Sequence, residues 1–296
     1  MSNARRRPKS AAQRKRKPVQ RRSSNRPGRG VWIIVALVIV IAAAAVASFA
    51  GGSTNSPSGG GDQPAPASLV AKVRSVPAGV FDTVGVGSAI AAPKKINGAP
   101  LTAAGKPHIV YIGAEYCPYC ATERWPMVVA LSRFGTFSGL KTTHSSSTDV
   151  YPNTQTFSFH GATYSSQWIS FSGVETQSNV RQGNGYAPLD TPTASERQLF
   201  STYDSPPYVS SSAAGGIPFI DFAGKFLTNG VTYDPGVLKG KTAAQIATAL
   251  SDPTTKISQG AIGVANTFIA AICSITHNQP ANVCTPTIQR IEAGLK

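Results

Sequence analysis

The chain has 296 residues, with 28 Lys and Arg against 13 Asp and Glu, and a net charge of +15 at pH 7. The charge is concentrated at the N-terminus: residues 1–29 carry twelve Lys and Arg and no acid, which leaves 16 basic against 13 acidic residues beyond them. A nucleic-acid-binding domain should carry cations interleaved with aromatic residues on its folded part. The basic run contains no aromatic residue, so the composition argues against nucleic acid as a partner.

The basic run leads into an apolar segment, residues 31–50, which has 20 residues and no charge. At about 1.5 Å of rise per residue, a helix of this length spans a hydrocarbon core of about 30 Å. We therefore predict a basic cytoplasmic tail over residues 1–30, a single transmembrane helix over residues 31–50 and an extracytoplasmic C-terminal domain at the cell membrane. The tail should also contact the lipid bilayer. The alternative is a cleaved signal peptide, because Ala45-Val46-Ala47 resembles a cleavage site.

A short polar stretch separates the apolar segment from the rest. Residues 51–67, "GGSTNSPSGGGDQPAPA", have almost nothing apolar to bury and predict a flexible linker. Residues 68–296 number 229, which is enough for one domain with a substantial hydrophobic core. We therefore expect one folded domain tethered close to the membrane surface.

Export determines how the cysteines are interpreted, because outside the cytoplasm thiols oxidise unless a partner keeps them reduced. The chain has four of them, at Cys117, Cys120, Cys273 and Cys284. A zinc site would need two paired clusters, or histidines at matching spacing. The four histidines are instead scattered, at His108, His144, His160 and His277. The sequence therefore predicts neither a metal site nor a bound cofactor.

The stretch "YIGAEYCPYC", residues 111–120, places Cys117 between a strand and a helix. "HIVYIGA", residues 108–114, is a short apolar run typical of a buried central strand. Pro118 suits the first turn of a helix, which the apolar stripe of "ATERWPMVVALSRF" continues. Free backbone N–H groups and the dipole at a helix N-terminus favour a thiolate. We therefore predict that Cys117 is a nucleophile and that Cys120 resolves its mixed disulfides; the alternative is an inert structural disulfide.

These motifs resemble those of the thioredoxin superfamily. "AEYCPYC" is similar to its A-E-aromatic-C-x-x-C pattern, and the Pro-Tyr dipeptide is typical of glutaredoxins. "GGIPFIDFAGKFLTNG", residues 215–230, resembles the loop that carries the superfamily's cis-proline, followed by a strand, a turn and an edge strand. The resemblance implies a cis bond between Ile217 and Pro218, a groove beside the sulfurs that Pro218 shapes, and a closing helix at "TAAQIATALSD".

The sequence departs from the superfamily where thioredoxins carry a buried acid, six residues before the first cysteine. The chain has Tyr111 at that position. Glu115 is a candidate for proton transfer in its place, and the alternative is a solvated loop carboxylate with no role in the chemistry. The proton route of thioredoxin is therefore expected to be absent or moved.

A large insertion, residues 144–214, is predicted between the C-x-x-C helix and the cis-proline loop, and it is rich in Ser, Thr and aromatic residues. "TQTFSF" and "ATYSSQWISF" alternate polar and aromatic residues like the two strands of a hairpin that turns at Gly161. Tyr164, Trp168 and Phe171 either line a groove for an unfolded substrate or form a small satellite core. The sequence leaves both interpretations open.

Capping residues predict two further helices. Thr193 stands three residues before a glutamate, and this capping box should begin a helix that leads back to the cis-proline loop. Asp252-Pro253 is typical of an N-cap followed by a first-turn proline. We therefore expect a helical C-terminal extension over residues 252–296, with a first helix that runs to about His277.

The remaining cysteines, Cys273 and Cys284, enclose "CSITHNQPANVC" near the end of that predicted helix. The chain turns back through Asn278 and Pro280, which can bring the two Cα atoms within the ~4.4–6.8 Å that a disulfide needs. We predict a structural disulfide. The alternative is a second redox pair that relays electrons to Cys117.

The arrangement also resembles a narrower family of exported or membrane-anchored proteins, domain of unknown function 929. The resemblance extends from about residue 69 to the C-terminus, through "GKPHIVYIGAEYCPYCATERWP", "HSSSTDVYPNTQTFSF" and "HNQPANVC". It implies an exported thioredoxin-like fold and no particular chemistry.

The sequence thus predicts an α/β protein, a thioredoxin-like domain on a membrane anchor, that exchanges thiols and disulfides with exported proteins. Cys117, Cys120 and Pro218 would form the catalytic site, and a membrane or extracytoplasmic partner would exchange electrons with the cysteines. One alternative is a metal-delivery or metal-sensing module that holds a soft ion at the two cysteines. Another is a non-enzymatic thioredoxin-like interaction domain.

Overall fold

The structure is a computed structural model that describes residues 61–296, and this part of the chain is a mixed α/β fold. The predicted cytoplasmic tail, the predicted transmembrane helix and most of the predicted linker lie outside the described residues. Those assignments remain predictions from the sequence.

Helices account for much of the fold, and residues 61–296 form seven α-helices. In chain order they are α1 (Ala67–Arg74), α2 (Ala78–Val84), α3 (Pro118–Phe134), α4 (Ala194–Tyr203), α5 (Ala243–Ala249), α6 (Lys256–Ile275) and α7 (Pro286–Ala293). A 3-10 turn at Pro235–Leu238 precedes α5. The helix predicted at "TAAQIATALSD" is α5, and the helix predicted after Cys117 is α3.

The same residues form thirteen strands, several of them only two residues long. They are β1 (Gln63–Pro64), β2 (Lys94–Lys95), β3 (Thr102–Ala103), β4 (Lys106–Gly113), β5 (Gly135–Ser138), β6 (Lys141–His144), β7 (Gln155–Ser158), β8 (Thr163–Ser166), β9 (Ser170–Glu175), β10 (Gln177–Gln182), β11 (Gly185–Pro188), β12 (Phe219–Phe222) and β13 (Phe226–Asn229).

Six of these strands form the central sheet, in the order β2, β13, β12 and β4, with β9 along the other edge of β4 and β3 at its start. Strand β9 runs parallel to β4, while β12 is antiparallel to it, with Phe219 opposite Ile112. Strand β13 was predicted at the edge of the sheet, but the two-residue β2 pairs with it.

From Ile109 onward strand β4 is buried on both faces, which explains the unbroken apolar run of that part of its sequence. Ile109 and Tyr111 point into the larger cluster of buried side chains, and Val110 and Ile112 into the smaller one on the opposite face. This alternation is the two-residue period of a strand. Helices α3 and α6 cover the first face.

Helix α6 is long and apolar enough, by length and composition, to cross a membrane, with a mean hydropathy of 1.4. Within the fold, however, 89% of its most apolar 18-residue stretch is buried, so α6 is packed as a core helix. Its glycines allow close contacts, because a Cβ at Gly263 would lie 2.4 Å from the carbonyl oxygen of Val86. Asn266 binds two carbonyl oxygens at the end of α2, those of Phe81 and Gly85, at 2.8 and 2.6 Å.

The opposite face of the sheet is covered by α4, where Phe200 packs edge-on against Phe219 with 5.3 Å between ring centroids. The predicted capping box at its start is confirmed. Thr193 accepts a hydrogen bond from the backbone N–H of Glu196, whose side chain accepts one from the N–H of Thr193. The helix leads, as expected, toward the loop before β12.

The predicted hairpin within residues 144–214 is wrong. Strand β7 pairs with β6, and β8 pairs with β5, so the two segments belong to different sheets. Gly161 does lie in the connection between them, with a φ of +73° that favours glycine. Alternation of polar and aromatic residues identifies strands, but it does not identify their partners.

Two predicted boundaries also differ from the structure. The segment predicted as an insertion contains β9, a full strand of the central sheet, which was missed because its sequence "SFSGVE" is half polar. The segment predicted as a linker contains β1, which pairs with β6 and is reinforced by a 2.8 Å salt bridge between Asp62 and Lys141. The predicted C-terminal extension consists of α6 and α7, with α6 beginning after the N-cap Thr255 rather than at Asp252.

A buried carboxyl group joins α3 to the loop before the 3-10 turn. Glu123 is fully buried and accepts hydrogen bonds from the backbone N–H and the hydroxyl of Thr232, at 2.5 and 2.9 Å. Burial raises the pKa of Glu123 to about 8. The folded protein therefore holds this proton at neutral pH.

We expect Glu123→Gln to change how stability depends on pH. The folded protein binds a proton that the unfolded chain releases, so the wild-type free energy of unfolding falls as the pH rises from 4.5 to about 8. The isosteric amide still accepts from Thr232 but does not titrate. The free energy of unfolding of the variant, relative to that of the wild type, should therefore rise by a few kcal/mol over this pH range, at about 1.4 kcal/mol per pH unit. Urea denaturation of both proteins at pH 5 and pH 9 measures this. An equal difference at both pH values would contradict the assignment.

The predicted disulfide between Cys273 and Cys284 is present, with 5.7 Å between the Cα atoms, and it connects the end of α6 to the segment before α7. Replacing both cysteines by Ser should lower the free energy of unfolding by about 3 kcal/mol, because the unfolded chain gains freedom in a closed loop of this size. Thermal denaturation of the variant, beside the wild type with and without reductant, tests this. A variant as stable as the oxidised wild type would show that the disulfide adds nothing.

Candidate active site

Cys117 lies where the sequence predicted it, at the junction between β4 and α3. It is the N-cap of α3, and Pro118 occupies the first turn. Its backbone N–H donates to the carbonyl oxygen of Ala114 at 3.3 Å, and its own carbonyl oxygen accepts from Ala121 at 3.0 Å. The sulfur therefore lies at the N-terminus of a 17-residue helix, beside the unpaired N–H groups of the first turn.

The two cysteines of the motif are free thiols in very different surroundings. Cys117 is 5% exposed, whereas Cys120 is completely buried. The Cys117 sulfur accepts a hydrogen bond from the backbone N–H of Cys120 at 3.1 Å. The side chain of Cys120 and, to a smaller extent, its backbone N–H lower the pKa of Cys117, although burial alone would raise it. Burial raises the pKa of Cys120 well above its ordinary value, so Cys117 is the group that ionises first.

The predicted cis-proline loop lies beside this sulfur. The peptide bond between Ile217 and Pro218 is cis. The Cys117 sulfur is 3.8 Å from the carbonyl oxygen of Ile217, a residue 100 positions away in sequence. The structure thus brings together Cys117, Cys120 and Pro218.

An acid that the sequence did not indicate supports this loop. Asp204 caps the end of α4 and is 3% exposed. Its side chain accepts a hydrogen bond from Asn229 at 2.7 Å, and its carbonyl oxygen accepts one from the N–H of Gly215 at 3.4 Å. Asp204 therefore connects the end of β13 and the cis-proline loop to α4. Nothing in the local sequence distinguishes it from an ordinary helix-terminal acid.

Glu115 is not the solvated carboxylate of the alternative interpretation, because it is completely buried. Its Oε2 accepts a hydrogen bond from the hydroxyl of Thr143 at 3.4 Å, and burial raises its pKa. Among the hydrogen bonds of the described residues, none joins Glu115 to either cysteine. Its proposed role in proton transfer therefore depends on groups between it and the sulfurs.

Tyr111, six residues before Cys117 on strand β4, lies close enough to both cysteines for their charges to affect it. It is fully buried, its ring packs edge-on against Phe159 with 5.0 Å between centroids, and burial raises its pKa well above the ordinary value. The hydroxyl has no hydrogen-bond partner among the described residues. A phenol of this kind keeps its proton at neutral pH.

Arg124 and Glu175 form a completely buried ion pair under the cysteines, and sequence reasoning missed it. The Nε and Nη2 atoms of Arg124 donate to the two carboxylate oxygens of Glu175 at 2.7 and 2.5 Å. Arg124 lies four residues after Cys120, so both occupy one face of α3. That spacing was a signal for Arg124, but no local pattern indicated Glu175 at the end of β9.

The aromatic residues of the predicted insertion pack into the interior, but against the main core and not as the separate satellite core of the second interpretation. Phe171 packs edge-on against Phe159 at 5.0 Å, the hydroxyl of Tyr164 donates to the carbonyl oxygen of Leu131 at 2.8 Å, and Trp168 packs against the same core. They extend the main core and do not line a groove.

Four further tyrosines, one exposed and three half-buried, lie around the motif and form what we call the tyrosine rim: Tyr116, Tyr119, Tyr151 and Tyr186. Tyr116 and Tyr186 stack with their ring centroids 4.3 Å apart, and Tyr119, 38% exposed, meets Tyr151 edge-on at 6.2 Å. The guanidinium of Arg181 covers the Tyr186 ring at 4.5 Å. The rim thus combines the motif itself with the loop between β6 and β7, which carries Tyr151, and strand β11, which carries Tyr186.

The site residues do not include a metal-binding cluster. Within residues 61–296, no three His, Cys, Asp or Glu side chains lie together in a way that would hold a metal ion. The two cysteines are the only soft ligands beside each other in that part of the chain, because Cys273 and Cys284 are joined to each other.

Comparison with known proteins identifies a family. The model of the family described as Domain of unknown function (DUF929) matches residues 92–274, which is more than half of the chain and includes β4, the C-x-x-C motif, β9 and the cis-proline loop. No curated protein and no solved structure matches the chain. The chain therefore belongs to the DUF929 family.

Proposed function

We propose that the protein is a membrane-anchored, extracytoplasmic thiol–disulfide oxidoreductase with a thioredoxin-like fold. The observation that carries the proposal is the pair of free cysteines at the N-terminus of α3, where the Cys117 thiol has a lowered pKa and Cys120 lies buried behind it. A thiolate is the species that attacks disulfides, and a second thiol one helical turn away can displace the product.

The order of the elements supports the thioredoxin-like part of the proposal. Strand β4, helix α3 and the parallel strand β9 are followed by the antiparallel strands β12 and β13, and a cis-proline stands at the entry to β12. The two-stranded sheets β5–β8 and β10–β11 are additions to this central unit. The resemblance in the motifs and the arrangement of the strands thus agree.

The chemistry of the pair proceeds in two exchanges. In the reducing direction, the Cys117 thiolate attacks one sulfur of a client disulfide, the client S–S bond breaks, and the other client sulfur leaves as a thiolate. Cys120 then loses its proton and attacks the Cys117 sulfur, which releases the second client thiolate and leaves the protein disulfide. The client gains two electrons, and its two thiolates take up two protons. The reverse sequence oxidises a client dithiol.

The second exchange requires Cys120 to ionise in a buried position. Burial is the main reason for its raised pKa, and the neighbouring Cys117 adds to it. Once Cys117 is held in a mixed disulfide, its negative charge is gone and the second contribution disappears. The charge of Arg124 favours the Cys120 thiolate throughout. Formation of the mixed disulfide thereby prepares Cys120 for its attack.

The clients are proposed to be exported proteins that meet Cys117 at the tyrosine rim. Partly exposed aromatic rings next to a reactive sulfur suit an unfolded or extended polypeptide, since they provide rigid apolar contact area together with polar hydroxyls. The basic run and the apolar segment of the sequence support the membrane location, and a membrane or extracytoplasmic partner would restore the redox state of the pair.

Turnover of a disulfide substrate tests the proposal and separates it from its rivals. Full-length protein should catalyse reduction of insulin by dithiothreitol, and Cys117→Ser should abolish the reaction. Binding of Cu(I) or zinc without turnover would instead favour the metal-delivery module. Neither activity in a folded protein would favour the interaction domain.

The first prediction from this mechanism concerns the order of ionisation of the thiols. Because the pKa of Cys117 is lowered and that of Cys120 is raised, alkylation of Cys117 should reach half its maximal rate below the ~8.5 of a free cysteine. Cys120 should react slowly throughout the neutral range. Mass spectrometry after timed iodoacetamide treatment at several pH values measures both rates. Equal rates with an unshifted midpoint would remove the assignment of Cys117 as the nucleophile.

The second prediction concerns the mixed disulfide. Cys120→Ser removes the resolving thiol, so client proteins should accumulate as adducts on Cys117 that disappear under reductant. The double variant Cys117→Ser with Cys120→Ser is the matched control and should form none. Pro218→Ala should change the yield of adducts without unfolding the domain. Equal adduct yields from Cys120→Ser and the double variant would contradict the mechanism.

A further inference from the structure

The Arg124–Glu175 ion pair has an unusual position for a purely structural contact. Both side chains are completely excluded from water, and they connect the C-x-x-C helix to the end of β9. Transfer of two charges out of water is costly, and well-packed apolar side chains of similar size stabilise a fold at least as well. Stability alone therefore gives little reason for charges here.

Arg124 is connected to the segment that presents Cys117. Its Nη2 donates at 2.7 Å to the carbonyl oxygen of Ala114, which also accepts from the backbone N–H of Cys117 at 3.3 Å. Its Nη1 is buried and has no hydrogen-bond partner among the described residues. The guanidinium is thus held under the loop between β4 and α3, with both N–H groups of Nη1 unpaired among the described residues.

The charge of Arg124 acts on both thiols. It lowers the pKa of Cys117, after the larger contributions of Cys120, and it opposes the effect of burial on Cys120. Burial alone would lower the pKa of Arg124, and Glu175 raises it well above the ordinary value. An arginine begins so far above neutral pH that the guanidinium is charged with or without this partner. A fixed cation therefore lies behind the reactive sulfur.

Glu175 opposes that charge. Both of its oxygens accept hydrogen bonds from Arg124, and this cation favours the carboxylate form against burial, which raises the pKa of Glu175. Its backbone N–H donates at 3.0 Å to Asp190, which also binds His160, so β9 is fixed at this point. Glu115, buried nearby, is the other carboxyl group whose pKa responds to Arg124.

We propose that Arg124 is a positioning residue for the Cys117–Cys120 pair, and that Glu175 partly cancels its charge, so that the balance between them sets how strongly the Cys117 sulfur holds negative charge. The inference deepens the proposed function, because a more stable thiolate makes the pair a stronger oxidant. The Arg124–Glu175 ion pair would thereby help to determine whether the two cysteines reduce or oxidise their clients.

This role requires opposite effects from the two halves of the pair. Without Arg124 the Cys117 thiolate loses its cation and becomes less stable. Without the charge of Glu175 the cation is uncompensated, and the thiolate becomes more stable. A purely structural ion pair has no such opposition, because the loss of either partner would loosen the same contact.

The experiment compares Arg124→Gln and Glu175→Gln in the full chain, with Arg133→Gln as the matched control on the far end of α3. The readout is the rate of Cys117 alkylation against pH. The comparison is made at a pH below the midpoint of the alkylation curve of every protein. There Arg124→Gln should lower the rate about tenfold and Glu175→Gln should raise it several-fold. The reason is that a change of one unit in the pKa of Cys117 changes its thiolate fraction about tenfold. Arg133→Gln should leave it unchanged.

A fourth variant, Arg124→Met with Glu175→Leu, replaces both charges by apolar side chains and covers the case in which a single variant fails to fold. It should fold and should react more slowly than the wild type, but no more slowly than Arg124→Gln, because it has lost the carboxylate as well as the cation. Shifts of the same sign in the two single variants, or a folded double variant with the wild-type midpoint, would overturn the inference. Alkylation does not require turnover, so this result is independent of whether the protein catalyses exchange with clients.

Discussion

Burial of strand β4 on both faces, with its end at the start of α3, is the constraint on which the site depends. The sheet holds β4 between β9 and β12, and so fixes the loop that carries Cys117 at the junction of three elements. From β12 comes the cis-proline loop, and from β9 comes Glu175. A change in the register of either neighbour would separate these groups from the sulfur.

Two kinds of interaction act in opposite directions on the charge of the Cys117 sulfur. Burial alone disfavours a thiolate, yet hydrogen bonds from Cys120 and a buried cation favour it on Cys117. The same burial keeps the protons on Cys120, Tyr111 and Glu123. The thiol of Cys117 thus ionises before that of Cys120, which is the order that the proposed exchange of disulfides requires.

Local signals in the sequence predicted the elements that depend on local physics. The strand before Cys117, the proline in the first turn of α3, the capping box at Thr193 and the disulfide between Cys273 and Cys284 each follow from a short stretch of chain. Pairing between distant segments was not predictable in this way. Nothing near Ser170–Glu175 indicates that it lies beside β4, and without that contact neither the partner of Arg124 nor the extent of the added segments can be derived.

The central claim is that Cys117 and Cys120 form a reversible redox couple. The most direct test equilibrates the full-length protein in glutathione buffers of graded potential, quenches it with acid, and measures the fraction of the Cys117–Cys120 disulfide by mass spectrometry. The account predicts a single two-electron transition within the range of about −120 to −270 mV that Dsb-type and thioredoxin-type pairs span. A protein in which the two thiols never join to each other across that range, or form only glutathione adducts, would contradict it.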